Sequence, residues 1–388
     1  MSLDSIELPR CGRYRNLGVR GYDFTVAMGP GTLRVGRSRR LSAFRVCGVA
    51  GFAAACAVAL AICAGRGLSL GVEAVLIATA VLVFATVGLA TKAITGRESL
   101  TYYHHEVAVL AAVALMAWAL GAPVLGHLDA TALGLGAFLA FGRVGCALSG
   151  CCHGRRAARG LRYGPEFAGR GLPPYLVGVA LVPVQLVESA VAATLVVLGA
   201  FAAGTRPGAA FGLYVSGYAV ARFGLETLRG DPVRRYARGL SEAQWTSLAV
   251  VAAMTVLALA GTIPGRAEHL VALALLLAWA PIAARRHPGD VLHPRHVREL
   301  ARALTQAPIS AVTPVQTSLG LRISTGDTDG THHYTLSRTG PPLASGEGRE
   351  LAELVAWLDG LGEVPQVVEG VAGTVHLLDR RRIECPAR

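Results

Sequence analysis

The sequence predicts an all-α polytopic membrane protein of 7–8 transmembrane helices, followed by a small soluble α+β domain at the C-terminus. Three observations carry this reading. Of 388 residues, 53% are hydrophobic and 16% charged, with a mean hydropathy of +0.47, well to the apolar side of soluble domains. The apolar residues gather into eight runs, each near the roughly 20 residues that a helix needs to cross a bilayer. Beyond about residue 285, Pro, Ser, Thr and charge return, with strand-like and amphipathic patterns.

The runs fall at roughly 43–64, 69–93, 106–126, 129–149, 180–203, 208–228, 244–262 and 268–284. Ala, Val, Leu and Gly dominate them, so helices can approach closely through small residues. The eighth is the weakest, because "TIPGRAEHL" leaves only a tight turn before it. The organisation predicted is a polar, Arg-rich segment over 1–42, a membrane domain over 43–284 and a soluble domain over 285–388. In the last, "GLRISTGDTDGTHHYTLSR" reads as two strands about a Gly/Asp turn, with His332 and His333 as exposed strand residues. "GRELAELVAWLDGLG" places Leu351, Leu354, Val355, Leu358 and Leu361 on one helical face, and "GTVHLL" is a further strand.

A net charge of +12 and a pI near 9.8 raise the question of nucleic acid. The arginines lie between apolar runs rather than on one basic face, so they read as topogenic and nucleic acid is excluded as a partner. Arg is dense over 10–45, 155–170, 229–238 and after 285, and sparse in the alternate loops. Whichever side faces the cytoplasm, segments 94–105, 150–178 and 229–242 emerge together. Eight cysteines are present, at 11, 47, 56, 63, 146, 151, 152 and 385. Three sit in the first apolar run as small hydrophobes, and the set is not the framework of a small secreted domain. No cleavable signal peptide is visible.

Chemistry-bearing residues interrupt the apolar runs at four places. "TYYHHEV" (101–107) sets two histidines and a carboxylate at a membrane boundary, as a site or as an interfacial belt with Tyr102 and Tyr103. "GRVGCALSGCCHG" (142–154) closes a run with Arg143, three cysteines and a histidine. Adjacent Cys151 and Cys152 fit neither the C-x₂-C of structural zinc sites nor a thiol oxidoreductase motif, so no metal and no cofactor is expected. Its four glycines instead suggest a bending, closely packed backbone. "LVPVQLVES" places Gln185 and Glu188 three residues apart on one helical face. "YAVARFGLETLRGDP" holds Arg222 and Glu226 as an i,i+4 pair where a lone charge would cost several kcal/mol, with Arg229 and Asp231 at the exit.

Taken in order, these stretches resemble the prolipoprotein diacylglyceryl transferase family. The motifs are G-R-x-G at 142–145 followed by Gly150 and Gly154, then Pro183-x-Gln185-Leu186-x-Glu188, then Arg222-Phe223-x-x-Glu226-x-x-Arg229-Gly230-Asp231. "LSEAQWTSL" (240–248) is similar to the stretch opening the family's last core helix, and the likeness spans roughly 43–262. It implies a multi-pass protein of the bacterial inner membrane acting on phosphatidylglycerol, a membrane lipid, and on a prolipoprotein cysteine. It implies that Arg143 and Arg222 hold the lipid phosphate, that Glu226 orients Arg222, and that His104 stands for the family's functional histidine. Gly142, Gly145, Gly154, Gln185, Glu188 and Arg229 would bind substrate. The sequence departs from the family at Cys146, Cys151, His105, Glu106 and Val187, marking a divergent branch. Charge bias alone puts the Arg-rich loops in the cytoplasm, whereas the family places the same loops at the outer face; the family orientation is taken for the core.

The implied reaction is substitution at a glyceryl carbon by a thiolate, which needs a base, for which His104 qualifies, and cations for the departing phosphate. Two other classes stay open: a family-fold lipid-binding protein with altered catalysis, and a membrane thiol or metal redox protein using the cysteine cluster.

Overall fold

The computed structural model describes residues 26–27, 32–35, 39–95, 102–168, 172–231, 236–285, 291–306, 314–328, 331–339, 343, 345–361 and 363–379. Most of the Arg-rich N-terminal segment, together with Cys11 and Cys385, lies outside these. Three short strands open the described chain: β1 (Val26–Ala27), β2 (Thr32–Val35) and β3 (Arg39–Ser42). A helix then forms at each of the eight apolar runs: α1 (Ala43–Gly65), α2 (Leu70–Thr95), α3 (Tyr102–Ala119), α4 (Val124–Ser149), α5 (Val184–Ala203), α6 (Ala209–Leu225), α7 (Glu242–Leu259) and α8 (Arg266–Arg285). Helix is what apolar solvent demands, since every backbone polar group must be satisfied within the segment.

Six of these, among the described residues, are long and apolar enough to cross a membrane: α1, α2, α4, α5, α7 and α8. The expected count of 7–8 is therefore reduced by that criterion. Helix α3 ends early because Gly121, at positive φ, turns the chain before Pro123, and α4 restarts there. Helix α6 has 17 residues before it tightens into a 3₁₀ turn at Glu226–Leu228. The fifth run begins four residues later than expected, because 180–183 belong to the loop that covers the bundle. Large apolar side chains such as Leu82, Ile94, Trp118 and Phe201 point outward on the bundle, as lipid-facing residues do.

Helix α4 is the axis of the bundle: 67% of its apolar window is buried, against 6–33% in the other spans. Its composition explains this. A Cβ at Gly134 would stand 3.0 Å from the Ala55 carbonyl on α1, and one at Gly136 would enter the Tyr214 ring on α6. Small residues thus let α1, α5 and α6 pack directly on its backbone.

The end of the bundle formed by the C-termini of α1, α3, α5 and α7 is locked by polar groups. Asp129, fully buried, pairs with Arg66 at 2.5 Å and accepts hydrogen bonds from the backbone N–H groups of Gly208 and Phe211, each at 2.8 Å. It therefore satisfies the open N-terminus of α6 from another helix. Nearby, Glu73 Oε2 meets His127 Nδ1 at 2.7 Å and accepts from Cys63 Sγ at 3.3 Å, all three residues being buried.

The opposite end holds the candidate site residues. Between α4 and α5 a cap crosses it: β4 (Arg156–Arg162), pairing in parallel with β1, then short 3₁₀ turns at Pro165–Phe167 and Pro174–Leu176. A two-residue hairpin, β5 (Tyr236–Ala237) and β6 (Leu240–Ser241), precedes α7, whose start has a full capping box between Ser241 and Gln244.

After α8 come α9 (Pro294–Gln306), β7 (Val315–Gln316), β8 (Leu321–Thr328), β9 (Thr331–Arg338), α10 (Ser345–Leu358), β10 (Gln366–Glu369) and β11 (Val375–Asp379). The strands form one antiparallel sheet in the order β10-β11-β9-β8-β7. The two strands about a Gly/Asp turn, the helix and the third strand stand where the sequence placed them. Leu351, Leu354 and Val355 are fully buried, with Leu358 and Leu361 packed beside them. His332 is a correction: it is buried, not exposed, with Nδ1 2.5 Å from Asp327 Oδ1, because period-two alternation turns it to the core face while His333 takes the other. The core of this domain is continuous with the cap, uniting Leu161, Tyr163, Phe167, Leu172, Tyr175 and Leu176 with the residues under the sheet.

Removing the Asp129 carboxylate strands a guanidinium and two helix-end donors. Asp129→Ala should cost about 3 kcal/mol or more, read as a lowered Tm in detergent micelles. An unchanged Tm would mean that packing alone holds that end.

Candidate functional site

The site stands where α4 and α6 end and α5 and α7 begin, under the cap. Its centre is Glu188, one turn into α5 and fully buried. Arg143 Nε lies 3.0 Å from its Oε2, and Arg229 Nη1 lies 3.6 Å from the same oxygen. Arg222 Nε lies 3.6 Å from Oε1, to which the Tyr218 hydroxyl donates at 2.7 Å. Arg222 Nη1 also meets Glu226 Oε2 at 2.8 Å, and Arg229 Nε donates to Asp231 Oδ1 at 2.8 Å. Three cations and three carboxylates thus balance in one buried network, the condition under which charges persist at such a depth. Arg143 points inward and is buried.

The geometry leaves hydrogen-bonding capacity at the centre. Arg143 Nε, Arg222 Nη1 and Arg229 Nη1 are buried and face carboxylates as ion pairs, yet none makes a well-aligned hydrogen bond. Three converging guanidinium donors in that condition suit an oxyanion ligand.

Local backbone chemistry places Arg229. Gly154 and Arg229 form an antiparallel bridge, with the Arg155 N–H donating to the Leu228 carbonyl at 2.8 Å and the Gly230 N–H to the His153 carbonyl at 3.0 Å. A Cβ at Gly154 would run into the Val182 carbonyl, and one at Gly230 into the Gly154 carbonyl. Both motif glycines therefore serve close backbone approach. Gly145 does the same for α1, where a Cβ would stand 3.0 Å from that of Cys47. Gly142 faces open space. Gln185 Nε2 donates to the Cys151 carbonyl at 2.9 Å and so ties the cap's first residues to α5.

His104 stands apart from the arginines. It is half exposed at the start of α3, with Nε2 3.3 Å from Glu242 Oε1 in the first turn of α7. The adjacent pair is buried instead: His105 packs its ring on Phe84, centroids 4.4 Å apart, and Glu106 lies inside as well. Helical geometry explains the split, since successive residues point about 100° apart. The side chain of Tyr102 lies outside the described residues. Tyr103 turns inward, its hydroxyl 2.7 Å from Ser247 Oγ and its ring against Tyr218.

The three sulfurs of Cys146, Cys151 and Cys152 lie within 4.8 Å of one another, a gathering that sequence spacing did not suggest. Gly150 and Cys152, both at positive φ, fold the chain back to bring it about. Hydrogen bonds from the Cys146 and Cys151 thiols, then the charges of Arg229 and Arg143, hold the Cys152 thiol well below its ordinary pKa against the opposing effect of burial. Burial pushes the His153 imidazole down. This trio, and Cys63 with Glu73 and His127 at the far end, are the clusters among the described residues with donors close enough for a metal ion.

Sequence reasoning reached Arg143, Gln185, Glu188, Arg222, Glu226 and Arg229, and the structure brings these six to one end of the bundle. It missed Tyr218 and Gln244. Tyr218 lies four residues before Arg222 and eight before Glu226, a spacing that already put the three on one face. Gln244 belongs to an S-x-x-Q capping signature, "SEAQ", and its amide reaches the Phe223 carbonyl on α6 at 3.4 Å.

Comparison with known proteins bears on this arrangement. Residues 100–260 match the family model described as prolipoprotein diacylglyceryl transferase. Over 147 residues the chain is 32% identical to phosphatidylglycerol–prolipoprotein diacylglyceryl transferase 2 of Clostridium perfringens. That alignment takes in 37% of this chain and 56% of the relative, so the chain spans about half the length of the protein it matches. The matched region holds His104 and all six converging residues.

Proposed function

We propose that this protein transfers a diacylglyceryl group from phosphatidylglycerol to the cysteine thiol of a prolipoprotein at the bacterial inner membrane. The observation that carries the reading is the convergence of Arg143, Arg222 and Arg229 on Glu188 at the ends of apolar helices, with guanidinium donors left for an oxyanion. A glycerol phosphate headgroup entering from the lipid leaflet brings such an oxyanion to that depth.

In this reaction the acceptor thiolate forms a C–S bond at the glyceryl carbon as the C–O bond to phosphate breaks. The electron pair leaves with glycerol phosphate, and the thiol proton passes to a base. Arg143 and Arg222 neutralise the charge that grows on the departing phosphate, which is where preorganised cations act most strongly. Glu188 and Glu226 hold both guanidiniums in place before substrate arrives. His104 serves as the base, with Glu242 across 3.3 Å orienting the ring as a carboxylate does in other imidazole bases. Gly142 leaves room beside Arg143 for the lipid, and Gln185 fixes the loop above it.

The gathered thiols favour a second reading, in which Cys146, Cys151 and Cys152 form a redox or soft-metal centre beside the same arginines. Separate variants divide the two.

Arg143→Ala and Arg222→Ala should each abolish transfer, by about 100-fold or more, while the protein still inserts; Arg→Lys should rescue poorly because fork geometry is lost. Product formation near that of the wild type by either Ala variant overturns the assignment. His104→Gln should lower the rate by about 100-fold and Glu242→Gln by less, whereas His105→Gln should act through stability rather than kcat. Cys146→Ser/Cys151→Ser/Cys152→Ser should keep transfer; activity lost together with a bound metal or disulfide promotes the second reading. With its two thiol donors gone in Cys146→Ala/Cys151→Ala, the Cys152 pKa rises, so alkylation of Cys152 should need higher pH than in the wild type.

A further inference from the structure

The C-terminal α+β domain has no part in the reaction as proposed, yet it shares a core with the cap that overlies the arginines. The cap has two faces. Toward the bundle, the Tyr163 hydroxyl donates to the Ala147 carbonyl of α4 at 3.0 Å and accepts from Gln185 at 3.4 Å, and Phe167 packs edge-on against Tyr163 and over Gly150. Toward the domain, the turn Pro174–Leu176 packs on α10, with the Tyr175 and Trp357 ring centroids 5.1 Å apart. At the base of the cap, Arg156 Nη1 pairs with Glu350 Oε1 on the same helix.

These contacts lead back to the site. Tyr175 is buried, and its hydroxyl has no hydrogen-bond partner among the described residues. The segment that follows the Tyr175 turn leads to Val182, whose N–H donates to the Arg155 carbonyl at 2.9 Å. Arg156 begins the strand that follows directly from Arg155, whose N–H makes one of the two backbone hydrogen bonds fixing Arg229. One route therefore runs from Trp357 and Tyr175 through Val182 to Arg155, and the other Glu350–Arg156–Arg155–Leu228.

We propose that the C-terminal domain sets the position of Arg229 through the cap, with Trp357 and Glu350 as positioning residues. The proposal takes Arg229 as a phosphate-binding group from the reading above, while its structural half stands without that reading. Domain and bundle are then one working unit: the domain clamps the loop that completes the anion site, and anything that binds or displaces α10 changes the site from outside the membrane domain.

The test uses the full-length protein in detergent micelles, with Trp357→Ala, Trp357→Phe, Arg156→Glu, Glu350→Arg and the double swap Arg156→Glu/Glu350→Arg. Hydrogen exchange is read at the Arg155 and Gly230 amides, and affinity is measured for dihexanoyl phosphatidylglycerol. Trp357→Ala and each single charge reversal should speed exchange at both amides and weaken lipid binding by about 5- to 100-fold, the usual range of coupling between separate sites. Phe at 357 and the double swap should restore both. In transfer assays the loss should appear in KM for lipid more than in kcat. Faster exchange confined to α10, with both amides and lipid affinity unchanged, overturns the proposal; so does a double swap that rescues nothing while Trp357→Ala behaves as wild type. A wild-type protein that binds the lipid without transferring it overturns the transfer reading alone, and the amide and affinity results still decide the clamp.

Discussion

A single carboxylate organises this molecule. Glu188 is shared by three guanidiniums from α4, α6 and the turn after α6, and it also accepts the Tyr218 hydroxyl. Without it, three cations would face one another in a low-dielectric interior, where each costs several kcal/mol. With it, they are held at fixed positions, each with donors to spare. The arrangement is stabilising only as a set, because removing one member of a buried network leaves the others uncompensated. Helices that would otherwise pack through small residues in many registers are thereby committed to one.

The two ends of the bundle solve the same problem with different consequences. At one end Asp129 satisfies Arg66 and two N–H groups with well-aligned bonds, leaving a closed lock. At the other, ion pairs at 3.0 and 3.6 Å leave several guanidinium nitrogens without aligned acceptors. A saturated network rigidifies, while an undersatisfied one has free energy to gain from a ligand. The difference between the two networks lies in hydrogen-bond geometry rather than in residue type.

The cap shows how backbone packing transmits position. Glycines at 154, 160 and 230 bring strands so close that a Cβ at any of them would meet a carbonyl. Such contacts tolerate little displacement, since close-packed interiors move as units rather than deforming smoothly. The aromatic side chains of the cap are rigid for the same reason, and they join the membrane bundle to the sheet domain without an intervening linker surface.

The sequence by itself determined the class of the protein and named most of the residues that meet in the buried charge network. Eight apolar runs dictated eight helices, because a chain in lipid has few other ways to satisfy its backbone. Charges inside those runs drew attention to Glu188, Arg222 and Glu226, since a charge at that depth is costly, while Arg143 stood out through the resemblance of its G-R-x-G motif. Helical periodicity also gave the buried face of α10, and alternation gave the strands about the Gly/Asp turn. Tertiary structure decided what depends on three-dimensional closure. No local pattern says that His104 faces Glu242 while His105 and Glu106 turn inward, because the rotation of α3 is set by its packing on α2 and α4. No spacing rule gathers Cys146, Cys151 and Cys152, which converge through two positive-φ turns. The partnership of Trp357 with Tyr175, 182 positions apart in the numbering, exists only because the cap and the C-terminal domain bury their apolar faces in one core, and such non-local burial leaves no periodic trace in either segment.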